Sequence, residues 1–404
     1  MVIIIGSGAG GAIIAMELAK SNIPVTIIEK GPYIKTKDAI NYYDKSYENM
    51  DLLKTTCVGG STIVSAGNGV RILEKEFKNI GIDLSNEYNQ VEKLLNIHEM
   101  DDDHIGKGTQ KFIDISKQYG FKTQKMPKFI RDSECKICGK CSFGCPQDAK
   151  WSSKDFIDIS IKNNAELLTN TEATKIIIEN GQLKGVEIKK DNKTRIIKSK
   201  EIILAAGAIN SAIILQNSGI NAGRKLFIDP FVTVGGLLKD IHYNTEVQMN
   251  ALAIGNDYIL SPHFSTYAAS FLKENGYDIE NKDILSIMVK IPDDGLGKIE
   301  NGKVIKYNSI NDIKRLAEGS AAAGAILTTA GVDPTTITST VFRGAHPGGT
   351  AAIGEVVDKN LQTNITGLYV ADASVIPWSP GKPPILLILA LALRLANHLI
   401  EEYS

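Results

Sequence analysis

The feature that most constrains this chain is a glycine-rich turn close to its start. Val2 to Ile5 is apolar and β-branched, which predicts a buried strand, and Gly11 to Lys20 has the apolar spacing of a helix. Between them stands Gly6-Ser7-Gly8-Ala9-Gly10-Gly11, a G-x-G-x-x-G pattern. In such turns the first glycine permits a tight bend, the second lets main chain approach a pyrophosphate, and the third allows close helix–strand packing. The order strand, turn, helix therefore predicts a Rossmann-like dinucleotide site.

The second strand supports the same interpretation. Pro24 precedes the apolar segment Val25 to Ile28, and Glu29 follows it, about twenty residues after the glycine motif. A carboxylate there can accept hydrogen bonds from ribose hydroxyls, while the helix N-terminus offers N–H groups and a positive dipole to phosphates. A glycine turn without any ligand is the alternative that this context disfavours. Because FAD and NAD sites share the pattern, the motif alone does not choose between them.

Composition excludes several classes of partner. Lys and Arg number 45 and Asp and Glu 46, so the net charge of -1 provides no field to attract nucleic acid or an anionic membrane. The longest apolar run, Ile385 to Leu393, is too short to span a bilayer of about 30 Å. No basic leader precedes Val2, which predicts a cytoplasmic protein. We therefore expect neither a nucleic-acid partner nor a transmembrane segment.

Four of the five cysteines lie within eleven residues, as Cys135-x2-Cys138-x2-Cys141-x3-Cys145-Pro146. Bacterial ferredoxins use this spacing to hold iron–sulfur clusters, which predicts a cluster here. The preferred interpretation is a 4Fe-4S cluster with Cys145 as its fourth ligand. In two-cluster ferredoxins the fourth cysteine serves the other cluster, and this chain has no second run. Cys57 as the fourth thiolate and a three-iron cluster therefore stay open. A structural zinc site is the competing interpretation, followed by disulfides or free thiols.

Later segments choose among the dinucleotide-binding families. Ile202 to Gly207 reads IILAAG, and Gly367 to Ser374 reads GLYVADAS shortly before Pro377. Together with the glycine turn, the loop Cys57-Val58-Gly59-Gly60-Ser61 and the loop His346-Pro347-Gly348-Gly349-Thr350, they resemble the glucose-methanol-choline (GMC) oxidoreductases. The resemblance covers most of the chain and is nearest in pattern to the branch that oxidises long-chain alcohols and sterols.

The resemblance implies FAD as the cofactor, with Asp372 near its pyrophosphate and ribityl chain and with Ala173 or Thr174 near its adenine. The terminal helix, expected to begin near Pro384, would direct its positive dipole at the flavin ring. The cofactor-binding residues predicted from the motif and the resemblance are Gly6, Gly8, Ala9, Gly10, Gly11, Glu29, Lys30, Gly59, Gly60, Ser61, Ala173, Thr174, Ala206, Gly207, Asp372, Ala373, Pro383 and Pro384.

His346 is the predicted catalytic residue. Its glycine-rich loop can bring it close to a ligand, and a histidine is suited by its pKa to take a hydroxyl proton as hydride leaves. The other histidines stand in ordinary helix, loop or turn contexts and are expected to be solvated or structural. One departure from the family is Pro383, where the resemblance implies a second His or Asn. His346 is therefore expected either to act alone or to take a partner from elsewhere, such as Lys382 or a residue of the middle region.

The fold expected is α/β: a Rossmann-like FAD-binding domain with an interleaved α+β substrate domain built on an antiparallel sheet. We assign residues 1–98, 150–229 and 340–404 to the first, 230–339 to the second and 99–149 to a cysteine-rich iron–sulfur insertion. Within the first, a meander is predicted over Ala173 to Ile178, Lys184 to Lys189 and Arg195 to Leu204.

The function predicted is that of an FAD-dependent dehydrogenase. It would oxidise a CH–OH group of a small-molecule alcohol by hydride transfer to flavin and pass electrons through the cluster to an external acceptor such as a redox protein subunit. Two alternatives remain: a flavin and iron–sulfur reductase acting on a C=C or carbonyl substrate, and an electron-transfer flavoprotein module with no substrate of its own. An NAD-linked dehydrogenase is a weaker alternative.

Overall fold

The computed structural model describes residues 1–44 and 51–403. Its strands are β1 (Val2–Ile5), β2 (Val25–Ile28), β3 (His98–Glu99), β4 (Lys122–Lys125), β5 (Pro127–Lys128), β6 (Glu166–Leu168), β7 (Glu172–Glu179), β8 (Gln182–Lys190), β9 (Lys193–Lys198), β10 (Ile202–Leu204), β11 (Phe231–Leu237), β12 (Ala251–Ile254), β13 (Ile259–Pro262), β14 (Ile284–Lys290), β15 (Lys298–Glu300), β16 (Lys303–Ile305), β17 (Thr338–Ser339) and β18 (Leu368–Val370). Its α-helices are α1 (Ala9–Lys20), α2 (Glu74–Asn79), α3 (Ser85–Leu95), α4 (Lys107–Gln118), α5 (Ser153–Lys162), α6 (Ala208–Asn217), α7 (Thr266–Glu274), α8 (Ile310–Thr329) and α9 (Ile385–Tyr403).

A five-stranded parallel sheet holds the N-terminal motif. Its strand order is β18-β10-β1-β2-β6, with β1 at the centre. The strands β1, β2, β10 and β18 are buried along their whole length, as expected for parallel strands covered on both faces. Helix α1 packs against α5 and α9 on this sheet. Because parallel strands end at the same edge, the segments that follow β1, β2, β10 and β18 meet there.

The predicted meander is present, but its third strand was placed wrongly. Strands β7, β8 and β9 form a three-stranded antiparallel sheet, in which β9 ends at Lys198. The following apolar triplet, β10, leaves the meander and pairs in parallel with β1 and β18. The physical reason is burial: β9 is largely exposed, whereas all three residues of β10 are buried in the parallel sheet.

The second large sheet is antiparallel across β11, β14, β13 and β12. Its strand order is β17-β11-β14-β13-β12-β4, and α4 and α8 pack against it. Helix α8 begins at Ile310, because Ser309 and Asp312 form a reciprocal capping box there. The α/β fold class with a parallel sheet and an antiparallel sheet is thereby confirmed. The exact domain limits stay a prediction, and β4, inside the segment predicted as an insertion, is built into this sheet.

The terminal helix α9 begins at Ile385, immediately after the two prolines that were predicted to start it. Its apolar side chains pack against α1 and α3 within the core. Within residues 1–44 and 51–403, none of the helices combines the length and apolar character needed to cross a membrane.

Candidate active site

A cavity of about 450 Å³ lies where the parallel sheet ends and the antiparallel sheet begins. The glycine turn after β1 lines one end, and Phe231 of β11 with Met288 and Lys290 of β14 lines the other. The predicted site residues that line it are Gly6, Gly8, Ala9, Gly10, Glu29, Lys30, Gly60, Ser61, Ala173, Thr174, Ala206, Gly207, His346, Asp372, Ala373, Pro383 and Pro384. Gly11 and Gly59 lie behind this lining.

The glycine turn has the shape that a pyrophosphate requires. Gly6 has a φ of 102°, which favours glycine, and a Cβ on Gly10 would stand 1.7 Å from the Ala371 carbonyl oxygen. At Gly8, by contrast, no protein atom lies within 4 Å of where a Cβ would be, so this position faces open cavity. Helix α1 begins at Ala9 without a side-chain cap. Its N-terminal N–H groups are therefore suited to bind an anion at this end.

The buried carboxylate of Glu29 holds the glycine turn in place through hydrogen bonds. Its Oε2 accepts hydrogen bonds from the main-chain N–H and hydroxyl of Ser7 at 3.1 and 2.6 Å, and its Oε1 accepts one from the Gly31 N–H at 2.8 Å. The Ser7 hydroxyl oxygen also accepts from the Gly59 N–H at 3.1 Å. Gly59 thus holds the second glycine loop against the first without lining the cavity. Burial raises the pKa of Glu29, an effect that the bonds from Ser7 and Gly31 oppose.

Asp372 joins the ends of two parallel strands. Its Oδ2 accepts from the Gly207 N–H at 2.9 Å and from the Ser211 hydroxyl at 2.5 Å, and its Oδ1 accepts from the Ser374 N–H at 2.8 Å. Burial raises its pKa, and the Ser211 and Ser374 hydrogen bonds oppose the rise. The Asp372 carboxylate therefore holds the main chain around the cavity in place, in addition to any contact that it makes with a cofactor.

His346 is held by a partner that the sequence did not reveal. Its Nδ1 lies 3.0 Å from Oδ2 of Asp229, a fully buried carboxylate. The other oxygen of Asp229 accepts from the Ser379 hydroxyl at 2.6 Å and from the Gly381 N–H at 3.0 Å, so the carboxylate cannot turn away. With Nδ1–H donating to Asp229, Nε2 is the acceptor of the ring, which is the arrangement of an oriented general base.

Lys290 is the second group that the sequence did not single out. Its amine lies on the cavity lining, 3.5 Å from Nδ1 of His346, and 4.9 Å from the centre of the Phe231 ring. Since Nδ1 has a closer partner in Asp229, the Lys290 contact is proximity without a hydrogen bond. Burial lowers the pKa of Lys290 to about 8, with Asp229 raising it and Arg343 lowering it further.

The same surroundings lower the pKa of His346. Burial, followed by the Lys290 ammonium, lowers it to about 4 against the raising effect of Asp229. The ring is therefore neutral at neutral pH and free to accept a proton. Only the strand alternation of β14, which ends at Lys290, could have suggested that this lysine faces inward.

The cavity beside His346 is apolar. Phe231, Met249 and Met288 form a small cluster there with Leu53, Ala66 and Ala345, and all six line the cavity. His263 also lines the cavity, and its Nδ1 lies 3.2 Å from the hydroxyl oxygen of Thr233. The expectation that His263 has a structural role stays a prediction, and its position on the lining brings it close to the cavity. Burial lowers the pKa of His263 to about 3.

Cys135, Cys138, Cys141 and Cys145, here called the cysteine group, stand on one loop close to the cavity. Cys135, Cys141 and Cys145 belong to one small buried cluster, and Ser142 between them lines the cavity. The N–H groups of Ile137 and Gln248 donate to the sulfurs of Cys135 and Cys141. The loop is packed tightly, since a Cβ on Gly139 would stand 2.0 Å from the Asn244 carbonyl oxygen.

The four cysteines are free thiols, and no three His, Cys, Asp or Glu side chains in residues 1–44 and 51–403 are arranged as a metal site. The predicted cluster is thus not shown. Four thiols stand on this one loop, and main-chain N–H groups donate to two of the sulfurs. Cys57 belongs to a different buried cluster with Ile63 and Val64, and burial raises its pKa to about 12. This separation disfavours Cys57 as a fourth thiolate.

Comparison with known proteins assigns the family. Family models described as GMC oxidoreductase match residues 48–244 and 304–392. The chain belongs to the GMC oxidoreductase family. This GMC protein is 34% identical to the uncharacterized protein MJ1450 of Methanocaldococcus jannaschii over 98% of its own length and 99% of that protein. It is 25% identical to the long-chain-alcohol oxidase FAO1 of Arabidopsis thaliana, covering 99% of this chain and 66% of the oxidase.

Solved structures share the fold. A formate oxidase from Aspergillus oryzae matches with a TM-score of 0.79 at 15% identity, covering 100% of this chain and 98% of that one. Pyridoxine 4-oxidase, described as from Mesorbium loti, matches with a TM-score of 0.75 at 15% identity, covering 98% of each chain. Membership of the GMC family makes the chain an oxidoreductase and supports FAD as its cofactor.

Proposed function

We propose that this GMC oxidoreductase is an FAD-dependent enzyme that oxidises the CH–OH group of an alcohol. The observation that carries the proposal is the His346–Asp229 pair at 3.0 Å on the lining of a cavity that also contains the glycine turn. FAD, when bound, would accept a hydride from the alcohol carbon. Gly8 and the α1 N-terminus would hold its phosphates, and Glu29 and Asp372 would stand beside its ribose and ribityl chain.

The protein's part in the reaction is to take the hydroxyl proton. His346 Nε2 would accept it, and Asp229, fixed by Ser379 and Gly381, would stabilise the imidazolium that forms. Loss of a hydride from carbon and a proton from oxygen together leaves the carbonyl product. Lys290 would donate a hydrogen bond to the substrate oxygen and so supply the partner that Pro383 cannot. Both the base and the donor thus come from this chain.

The apolar lining beside His346 supports an alcohol with an apolar body. Phe231, Met249 and Met288 offer no charged contact for a strongly polar substrate. The similarity to a plant protein named long-chain-alcohol oxidase points the same way. We therefore propose apolar primary or secondary alcohols as the substrate class.

The test is anaerobic mixing of the purified, FAD-loaded protein with alcohols of increasing chain length. Bleaching of the oxidised flavin absorbance, with a carbonyl product formed one for one, is the expected result. Flavin that stays oxidised with every alcohol but, once reduced chemically with dithionite, is reoxidised by an enone or a carbonyl compound would favour a reductase. Flavin that exchanges electrons only with other redox proteins would favour the electron-transfer module.

We also propose that the cysteine group binds an iron–sulfur cluster, with 4Fe-4S preferred over zinc. Such a cluster would carry single electrons from the cavity to an external acceptor, as in a dehydrogenase. The lining position of Ser142, next to Cys141, supports this proximity. Anaerobically purified protein should contain about three to four irons with matching sulfide per chain. Cys138→Ser should lose the iron and keep the flavin, whereas Cys57→Ser should keep both. One zinc per chain without sulfide would contradict the cluster.

A further inference from the structure

Asn68 is a buried polar side chain on the lining of the cavity. It is 4% exposed, and its Oδ1 accepts a hydrogen bond from the amine of Lys128 at 2.6 Å. Lys128 is completely buried and lies behind the lining. The oxygen edge of the Asn68 carboxamide therefore faces the protein wall.

Lys128 fixes which edge of the carboxamide faces the wall. Besides Oδ1 of Asn68, its amine donates to the Ala66 carbonyl at 3.0 Å and to the Gln248 carbonyl at 2.7 Å. These three oxygens match the three protons of an ammonium group, which cannot accept a hydrogen bond. A carboxamide turned the other way would place its NH₂ group against that ammonium, donor against donor. The Nδ2 group of Asn68 is therefore held on the side away from Lys128.

The Nδ2 group has a proton to spare. It carries two protons, and its one hydrogen-bond contact within residues 1–44 and 51–403 is with Sδ of Met249 at 3.6 Å. A thioether sulfur is a weak acceptor, and the side chains of Phe231 and Met288, which pack with Met249, offer no oxygen. A buried donor without an acceptor costs free energy. A ligand that fills this part of the cavity is therefore expected to bring an acceptor atom.

Asn68 stands at the same end of the cavity as His346. Its neighbour Met249 packs with Phe231, whose ring centre lies 4.9 Å from the amine of Lys290. That amine lies 3.5 Å from Nδ1 of His346. A substrate with its CH–OH group at His346 would extend its apolar body along Phe231 and Met249, towards the Asn68 donor.

We propose that Asn68 determines specificity by donating a hydrogen bond from Nδ2 to a second, uncharged oxygen of the substrate. This oxygen would be an ether or carbonyl oxygen on the apolar body of the alcohol. Lys128 is the positioning residue, since it acts only by holding the carboxamide in this orientation. A site built to donate a hydrogen bond discriminates against the analogue that lacks the acceptor, because its own donor then stays unpaired. This inference rests on the proposed alcohol oxidation and narrows its substrate class.

The test compares two series of alcohols in anaerobic single-turnover reduction of the FAD-loaded protein. One series is linear primary alkanols, and the other is alkoxy alcohols of the same lengths, in which an ether oxygen replaces one methylene at varied positions. The pH is kept between the pKa of His346, about 4, and that of Lys128, which burial lowers to about 7. The quantity measured is the ratio of the second-order rate constants of flavin reduction for the best alkoxy alcohol and the matching alkanol.

Asn68→Asp keeps the shape and the acceptor for Lys128 but has no proton to donate, and Asn68→Leu removes the donor without adding a charge. In both variants this ratio should fall at least about tenfold, the effect of one lost hydrogen bond. Lys128→Met lets the carboxamide turn, so the ratio should fall by a smaller factor. Asn163→Leu, at the exposed end of α5, removes a carboxamide away from the cavity lining and should keep the wild-type ratio.

A wild-type ratio in both Asn68 variants would overturn the inference and leave alcohol oxidation standing. Equal loss of rate with both series, together with a shifted midpoint potential of the flavin, would assign the Asn68 donor to the flavin ring and overturn its role in substrate choice. Wild-type protein whose flavin is reduced by neither series would overturn the proposed function and this inference together.

Discussion

The nucleotide end of the cavity is shaped by main chain, whereas the opposite end is shaped by side chains that converge from distant parts of the sequence. At the first end, Gly6, Gly8 and Gly10 stand in one short turn, where a side chain on Gly6 or Gly10 would clash with main chain and Gly8 faces the open cavity. At the second end, Asp229 and Lys290 lie next to His346 although they are 117 and 56 residues away from it in the sequence. The first end is built to bind one kind of group, and the second can be altered by exchanging single side chains.

The difference predicts that substitutions at the two ends fail differently. A change at the substrate end should leave the cofactor bound and slow the reaction. A change at the nucleotide end should remove the cofactor from a folded chain. Separate measurements of cofactor content and of the rate of flavin reduction distinguish the two kinds of failure.

The largest effect is expected at His346. In His346→Ala, flavin reduction by an alcohol should slow by about 10²- to 10⁴-fold, the usual contribution of a positioned general base. FAD content should stay that of the wild type, because His346 is not part of the glycine turn. Single-turnover mixing under anaerobic conditions measures the rate directly. A variant that reduces its flavin as fast as the wild type would remove His346 from the mechanism and favour the reductase or electron-transfer alternatives.

At the nucleotide end, Gly8→Val is expected to weaken FAD binding by at least about 100-fold in Kd, about 2.7 kcal/mol. No protein atom lies within 4 Å of a Cβ at Gly8, so the chain should fold, but the side chain would occupy the space proposed for the phosphates. Fluorescence titration of the apoprotein with FAD measures this, with circular dichroism to confirm folding.

The matched control is Gly324→Ala in α8, where an added Cβ also meets no atom within 4 Å but faces away from the cavity lining. It should bind FAD like the wild type. Equal FAD affinity in Gly8→Val and wild-type protein would place the cofactor elsewhere and break the comparison between the two ends.

The same contrast explains what the sequence could predict. The glycine turn, Glu29 and His346 stand in short motifs whose spacing encodes their geometry, so their convergence on one cavity was predictable. Asp229 and Lys290 carry no local motif, since their approach to His346 depends on the pairing of β11 with β14. Ile202 to Leu204 were misassigned for a related reason. The local sequence pattern predicts a strand at these residues whichever sheet they join. Only their burial beside β1 shows that they belong to the parallel sheet.

The cysteine run lies between these cases. Its spacing is a local motif and predicted a metal, but spacing does not tell what surrounds the sulfurs. Lys128 and Lys150, whose amines donate to carbonyl oxygens near this loop, look like surface residues in the sequence, because lysine is rarely fully buried. Their complete burial becomes visible only when the cavity wall and the cysteine loop are both in place.

The smallest effect is expected at Lys290, and it carries a pH signature. With His346 neutral above its pKa of about 4 and Lys290 charged below its pKa of about 8, flavin reduction should be fastest between these two values. It should fall in acid as His346 becomes protonated and fall in alkali as Lys290 loses its proton.

Lys290→Met removes the donor and keeps a side chain of similar length against Phe231, so the rate at neutral pH should drop by about tenfold, about 1.4 kcal/mol, with FAD content unchanged. The alkaline fall should vanish in this variant, and the acid fall should remain. The acid fall should also move to higher pH, because the ammonium that lowers the pKa of His346 is gone. Lys282→Met, in the short turn before β14, removes a charge of the same sign away from the cavity lining and should change neither the rate nor the profile. An alkaline fall that persists in Lys290→Met would assign it to another group and leave His346 acting with Asp229 alone.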